Sequence, residues 1–345
     1  MLAWYRRHRR DLPWRRTRDP YRIWVSEIML QQTTVQTVLP YYHAFLEVFP
    51  TVEALAESPL DAVLARWSGL GYYSRARNLK RAAERVVEEH GGSIPDDRER
   101  LQRLPGIGEY TAGAILSIAF SRREPVLDGN VIRVLARLFL LAGDPRKQPL
   151  RNVLWTLAAR MVPADDPGDF NQGLMELGAT VCAPRSPTCG SCPLATICGA
   201  GRAGRAGEFP TPQPRPVTVP VRLAAAVISS CRGFLMVRRA RAGLLADLWE
   251  FPGGEIQRRG DAQAQLARLL LDRHSLRVTV GRELARFGHS ITNRRMTVIA
   301  FEARLEGARR AVPPGSSWVD PGDIGSYGVS SMALKILAGV GRQRP

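Results

Sequence analysis

From about residue 20 to residue 180, apolar positions recur every three or four residues, and proline or glycine separates most runs. That period predicts helices over 23–39, 40–49, 52–56, 60–67, 74–90, 99–104, 110–120, 131–142, 149–161 and 169–179. Beyond residue 220 the period falls to two. Residues 223–229 and 234–238 then read as a hairpin around a Cys-Arg-Gly turn, 278–284 and 296–305 as further strands, and 262–273 and 331–337 as helices. Between the two regimes, 199–220 passes from glycine-rich to proline-rich with no helical period, which is the composition of a linker. The pattern therefore predicts an all-α domain followed by an α+β domain.

Composition adds direction. A chain of 345 residues exceeds what one hydrophobic core usually organises, so two domains are expected. With 45% apolar and 23% charged residues it reads as an ordinary globular protein. The arginine- and tryptophan-rich stretch 1–18 lacks the apolar run of a signal peptide or membrane span, so no membrane partner is expected, and the expected location is the cytoplasm, in association with the nucleoid. The formal charge of +17 favours a polyanion such as nucleic acid. All but three of the 49 basic residues are arginine, the exceptions being Lys80, Lys147 and Lys335, so arginine-rich coding and solubility also account for part of the charge.

Three motifs carry chemistry. Residues 104–110, Leu-Pro-Gly-Ile-Gly-Glu-Tyr, lie between two helical patterns and place Gly106 and Gly108 in a tight turn. Such a turn offers open backbone N–H groups to a phosphate, aided by the positive end of the following helix. Downstream, Asp128 in Val-Leu-Asp-Gly-Asn sets a carboxylate at the mouth of another helix. Third, Cys182, Cys189, Cys192 and Cys198 follow a Cys-x6-Cys-x2-Cys-x5-Cys spacing. Four thiols in one short loop of a cytosolic chain suit metal ligation better than disulfides. Because only one pair has a two-residue spacer, the spacing favours an iron–sulfur cubane over zinc, with zinc still open. Cys231 falls in the predicted hairpin and is read as structurally neutral.

The hairpin, the aspartate and the cysteine loop, in this order, resemble the helix-hairpin-helix DNA glycosylase superfamily with an iron–sulfur loop, which includes endonuclease III and the MutY adenine glycosylases. The resemblance covers 1–199, leaves 200–220 as a linker, and implies a [4Fe-4S] cluster on the four cysteines. Members that also nick the backbone carry a lysine at the position of Tyr110, and tyrosine cannot form an imine. The monofunctional branch is therefore implied. Residues 24–33, Trp-Val-Ser-Glu-Ile-Met-Leu-Gln-Gln-Thr, resemble the first active-site helix of the MutY enzymes, and 70–75, Leu-Gly-Tyr-Tyr-Ser-Arg, their loop that enters DNA. Residues 249–255, Trp-Glu-Phe-Pro-Gly-Gly-Glu, look like a Nudix-type fold over 221–340, used in that family to read 8-oxoguanine. The helix after it lacks the paired glutamates that would bind magnesium, so pyrophosphatase activity is not expected.

The resemblance implies an adenine glycosylase acting on double-stranded DNA with adenine opposite 8-oxoguanine or guanine, as a monomer. Breaking the N-glycosidic bond needs a protonated acid for the leaving base and an ionised carboxylate for the cationic sugar. Glu27, among Ile23, Trp24, Ile28 and Leu30, is expected to be desolvated and protonated. Asp128, ahead of a helix, is expected to stay ionised, with Tyr110 and Asn130 orienting it. Taken singly, Glu27 would equally suit a solvated helix face and Asp128 a helix cap. By the same resemblance Gln32, Thr33, Leu70 and Tyr72 contact the opened duplex, and Arg15, flanked by Trp14 and Arg16, lines the adenine pocket. Phe287, His289 and Ser290 would read 8-oxoguanine, although Gly288 stands where the family's motif has serine. The alternatives are a thymine or oxidised-pyrimidine glycosylase of the endonuclease III type, and a non-catalytic iron–sulfur DNA-binding module.

Overall fold

The computed structural model describes residues 1–214, 216–241, 243, 245–307 and 312–341. Arg215 of the expected linker, and residues 242, 244 and 308–311 of the expected second domain, lie outside them. The chain forms two compact units, 1–57 with 78–214, and 58–77 with the chain beyond 214. Sequence periodicity placed 58–77 in the first domain, because its helix is locally amphipathic and says nothing about which core receives it. Long-range bonds decide that. Ser68 Oγ donates to the Val329 carbonyl at 2.8 Å, Arg77 Nη1 to the Ala246 carbonyl at 2.8 Å, and Arg238 pairs with Asp61 at 3.1 Å.

The helices in chain order are α1 (Leu2–His8), α2 (Pro20–Leu30), α3 (Val35–Val48), α4 (Val52–Glu57), α5 (Leu60–Trp67), α6 (Ser74–His90), α7 (Arg98–Arg103), α8 (Glu109–Ala119), α9 (Gly129–Leu138), α10 (Leu150–Met161), α11 (Pro167–Thr180) and α12 (Gly199–Arg202). One long helix had been expected over 23–39, with a break at Pro40. The break falls instead at 31–34, where Gln32 takes φ 55° and Thr34 accepts the Thr37 N–H to cap α3. Pro40 sits inside α3 on an exposed position, its missing N–H tolerated there. The expected linker is also more ordered than its composition suggested. It opens with α12, and Phe209 is buried against Ala136 and Ala200. The core of the first unit gathers Ile23 of α2, Ala114 of α8, Val131, Val134 and Leu135 of α9, Leu154 of α10, and Leu174 and Leu177 of α11. This core holds the start of α9 beside α2 and α8, which positions the site described below.

In the second unit the strands are β1 (Val219–Ser230), β2 (Gly233–Arg238), β3 (Trp249–Glu250), β4 (Gly253–Ile256), β5 (Val278–Ile291), β6 (Arg294–Leu305) and β7 (Ser316–Val319), with helices α13 (Ala262–His274) and α14 (Ser331–Gly341). The sheet runs β3-β2-β1-β6-β5, with β4 on β1 and β7 on β2. β1 and β6 pair in parallel, and the other pairs are antiparallel. Alternation along β1 splits the core by face. Ala225 and Val227 pack with Ala333 and Ile336 of α14, while Ala224, Ala226 and Ile228 pack with Leu266 and Leu270 of α13. β5 extends well past its expected end at residue 284, so Phe287–Ser290 lie within a strand. Short strands β3, β4 and β7 offer too few residues to display a period.

Candidate active site

A cavity of about 740 Å³ in the first unit is lined by Glu27 from α2, Gln32 and Thr33 from the break after it, Tyr110 from α8, and Asp128 and Asn130 from the start of α9. Trp14 and Arg15 contribute another wall, and Gln172, Met175 and Glu176 of α11 a third. Arg16 turns away to an exposed pair with Asp11. Residues far apart in sequence thus line one cavity because α2, α8, α9 and α11 share one core.

Glu27 is only 5% exposed. Burial raises its pKa to about 7, and the nearby Asp128 adds to the rise, against a hydrogen bond from Tyr110 and the charge of Arg15. The Tyr110 hydroxyl donates to Glu27 Oε2 at 2.5 Å. Burial, with the two acids nearby, pushes Tyr110 well above the usual phenol range, so it remains a donor. That bond occupies one of the two carboxyl oxygens.

Asp128 is the N-cap of α9. Its Oδ1 accepts the Val131 N–H at 2.7 Å, and its Oδ2 accepts Asn130 Nδ2 at 2.8 Å. The helix mouth alone suggested a depressed pKa, but the structure reverses that direction. Crowded surroundings desolvate the carboxyl and raise it, although both hydrogen bonds pull the other way. Arg133 braces this arrangement. Its Nη2 donates to Asn130 Oδ1 at 2.9 Å and to the Gly178 carbonyl at 2.7 Å, and its Nε to the Cys182 carbonyl at 2.8 Å. Gly178 permits the approach of α11, since a Cβ there would lie 2.5 Å from Asn130 Cβ.

Beside the cavity, Gly106 takes φ 81° in the hairpin turn, and a Cβ would press on Asn78 Cβ at 2.8 Å. Gly108 is the N-cap of α8 and has open space around it. The turn therefore presents backbone rather than side chains at that helix end.

Cys182, Cys189, Cys192 and Cys198 surround a separate cavity of about 200 Å³. Arg137 Nη1 donates to Cys182 Sγ at 3.3 Å, and the backbone N–H groups of Leu194 and Gly201 point to Cys192 Sγ and Cys198 Sγ, each at 3.4 Å. Such donors stabilise thiolates. Among the described residues, no three His, Cys, Asp or Glu side chains are grouped to hold a single metal ion. No described helix is long and apolar enough to cross a membrane.

In the second unit, Leu70 is 5% exposed and packs inward, whereas Tyr72 takes φ 47° and is 47% exposed. On β5, alternation puts Phe287 and His289 on one face and Gly288 and Ser290 on the other. Phe287 packs against the core under Lys335, whose Nζ lies 5.6 Å from the ring centroid. Burial and the Lys335 charge lower the His289 pKa. Ser290 is exposed, and a Cβ at Gly288 would meet nothing within 4 Å.

Residues 25–160 match the HhH-GPD superfamily of base excision DNA repair proteins, and 224–339 match the NUDIX domain. The adenine DNA glycosylase of Homo sapiens is 36% identical over 100% of this chain and 74% of its own length. The chain belongs to the adenine DNA glycosylase family. The adenine DNA glycosylase of Rattus norvegicus is likewise 36% identical, over 98% of this chain and 76% of its own. Among solved structures, a thermostable thymine-DNA glycosylase is 35% identical with a TM-score of 0.53, covering 59% of this chain and 93% of its own. A glycosylase of this family is a base-excision-repair enzyme that cleaves an N-glycosidic bond, with a helical HhH-GPD region and an α+β Nudix-like domain.

Sequence reasoning missed Glu176 of the glycosylase, which lies in the helix expected over 169–179. Its side chain is fully buried. Burial opposes ionisation, but bonds from Arg10 (2.7 Å) and Arg15 (2.8 Å) outweigh it and hold the pKa at about 2. Those partners lie more than 160 positions away, so only the fold reveals the pairing. Arg133 was missed likewise, its arginine lost among many. Substituting Gly178→Ala should push Asn130 from Asp128 and slow base excision at least about tenfold, with a stability loss of about 1–3 kcal/mol for overpacking. Single-turnover excision and urea unfolding of the same variant check this; a wild-type rate would show that Asn130 does not set the aspartate's position.

Proposed function

We propose that this glycosylase removes adenine mispaired with 8-oxoguanine, and with guanine, by hydrolysis alone, and that Glu27 and Asp128 divide the chemistry. The observation that carries the reading is a buried carboxyl near pH 7 in the same cavity as a second carboxyl bound by two N–H donors. Extruding the base costs a few kcal/mol of lost stacking and pairing. Protonated Glu27 then donates to a ring nitrogen of adenine as the bond from C1′ to N9 breaks and its electron pair leaves with the base. Asp128, ionised under its two donors, stabilises the cationic sugar or traps it briefly as an ester. Glu27, now a carboxylate, takes a proton from the attacking water, and hydroxide adds to the C1′ cation or, from the ester, displaces the Asp128 carboxylate at C1′. Tyr110 keeps Glu27 oriented and has no amine for imine formation, so the product is an intact abasic strand.

Glu176, buried and held by both guanidiniums, fixes Arg10 and Arg15 along the cavity wall. Phosphates flanking the extruded nucleotide are assigned to the turn at Gly106 and Gly108. Tyr72, the exposed residue of its loop, is assigned to the duplex, whereas Leu70 supports the loop from within. Phe287, His289 and Ser290 are assigned to the opposite base, Ser290 sharing a face with Gly288 and so able to supply the hydroxyl that glycine lacks.

The four cysteines fit a [4Fe-4S] cluster better than zinc. Their sulfurs surround one cavity of about 200 Å³, their spacing has only one two-residue pair, and N–H donors meet three of them. Cys182, Cys189, Cys192 and Cys198 would hold it. Bound there, the cluster supplies a rigid cross-link for the loop, and its chemistry need not enter base excision.

A duplex with adenine opposite 8-oxoguanine should yield free adenine and a strand that breaks only after alkali. Glu27→Gln and Asp128→Asn should each lower the single-turnover rate by at least about a thousandfold while leaving DNA binding measurable. The acid form of Glu27 and the ionised form of Asp128 are the active ones, so the rate should fall tenfold per unit above pH 7 and fall again at acid pH as Asp128 takes up a proton. Intact adenine with confirmed binding, or a rate that rises through pH 7, contradicts the assignment.

A further inference from the structure

The turn carrying Tyr72 is built into the second unit by a specific set of bonds. Trp249 N–H donates to the Gly328 carbonyl at 2.8 Å, and Ser330 N–H to the Trp249 carbonyl at 3.3 Å, so segment 328–330 is stitched to β3. The carbonyl between them, on Val329, accepts two hydroxyls from the turn: Ser68 Oγ at 2.8 Å and Tyr73 OH at 3.3 Å. Tyr73 OH also accepts the Gly69 N–H at 3.2 Å, which links both ends of the turn to the same carbonyl. Both Tyr73 and Val329 are buried, so these bonds are shielded from competing water. From inside, Arg75 Nη2 donates to the carbonyls of Leu70 (3.2 Å) and Gly71 (3.1 Å), and its guanidinium lies over the rings of Trp67 and Tyr72. Tyr72 is meanwhile held at φ 47°, a conformation that a free turn would rarely give a tyrosine.

We propose that the Val329 carbonyl, through Ser68 and Tyr73, positions Tyr72 for insertion into the duplex, so that the Nudix-like domain sets both the opposite-base contact and the wedge. Ser68 and Tyr73 are positioning residues that touch no substrate. The inference rests on the assignment of Tyr72 to the duplex made above. It gives a reason for 58–77 to fold with the second unit: a wedge anchored on the reading domain inserts in register with the base being read. Preference for 8-oxoguanine over guanine then depends on the anchor as well as on residues facing the base.

The test uses the full chain, with excision rates read on cleavable duplexes carrying adenine opposite 8-oxoguanine or guanine, and unstacking read on a duplex with a non-cleavable adenine analogue opposite 8-oxoguanine and fluorescent 2-aminopurine as the neighbouring base. Tyr72→Ala should abolish the fluorescence change. Ser68→Ala with Tyr73→Phe should reduce it by at least about half and lower the 8-oxoguanine-to-guanine rate ratio about fivefold, each lost hydroxyl bond having a modest net effect. Ser68→Thr, which keeps the hydroxyl, should restore signal and ratio when placed with wild-type Tyr73. A wild-type signal and ratio in the double variant, with both lost in Tyr72→Ala, would overturn the anchor even if the melting temperature fell. If Tyr72→Ala itself leaves the signal intact, the assignment of Tyr72 to the duplex fails and the anchor with it.

Discussion

Desolvation of one carboxyl group organises the active-site side of this protein. Glu27 sits on a helix whose every neighbouring turn is buried, and its one strong partner is a hydroxyl rather than a cation. A salt bridge at that point would have fixed the charged form, as Arg10 and Arg15 do for Glu176 in the same cavity. One cavity thus holds carboxyls driven in opposite directions, near 7 and near 2, by the choice between a phenol and two guanidiniums as partner. Asp128 is raised as well, by crowding, against the bonds from Val131 and Asn130. The difference in partner is what lets Glu27 and Glu176 share about 740 Å³ with opposite shifts.

The scaffold needed to keep those environments apart is a set of close helix contacts rather than a deep sheet cleft. Helix α11 approaches the start of α9 only because position 178 is glycine, and Arg133 spans the gap from Asn130 to the Cys182 carbonyl. The cysteine loop is therefore mechanically continuous with the aspartate that faces the substrate cavity. A loop cross-linked through its thiolates would stiffen that aspartate's support without entering the reaction. The second unit uses the opposite arrangement, with a twisted sheet covered by α13 and α14 and an exposed edge strand carrying Phe287, His289 and Ser290.

Local signals in the sequence were strong where a structure depends on near neighbours. The helical period located α8 to α11 within a few residues, Asp128 fell at a cap, and the hairpin glycines stand at a turn and an N-cap. Signals failed where distant parts of the chain decide. The break at 31–34 was masked by Pro40, a stronger breaker by composition but one that an exposed helix position tolerates. Membership of 58–77 in the second unit depends on bonds to Val329, Ala246 and Arg238 that no local window contains. The direction of the Asp128 shift was misjudged because the cap is visible in sequence and the crowding around it is not.

The proposed division of labour depends on Glu27 holding a proton near neutral pH, and that carboxyl can be observed directly. In full-length protein with 13C-labelled glutamate side chains, one resonance should titrate with a midpoint of about 7 and be absent from Glu27→Gln. Glutamates that all titrate below about pH 5 would contradict it, because the acid that must protonate the leaving base would then be a carboxylate at working pH.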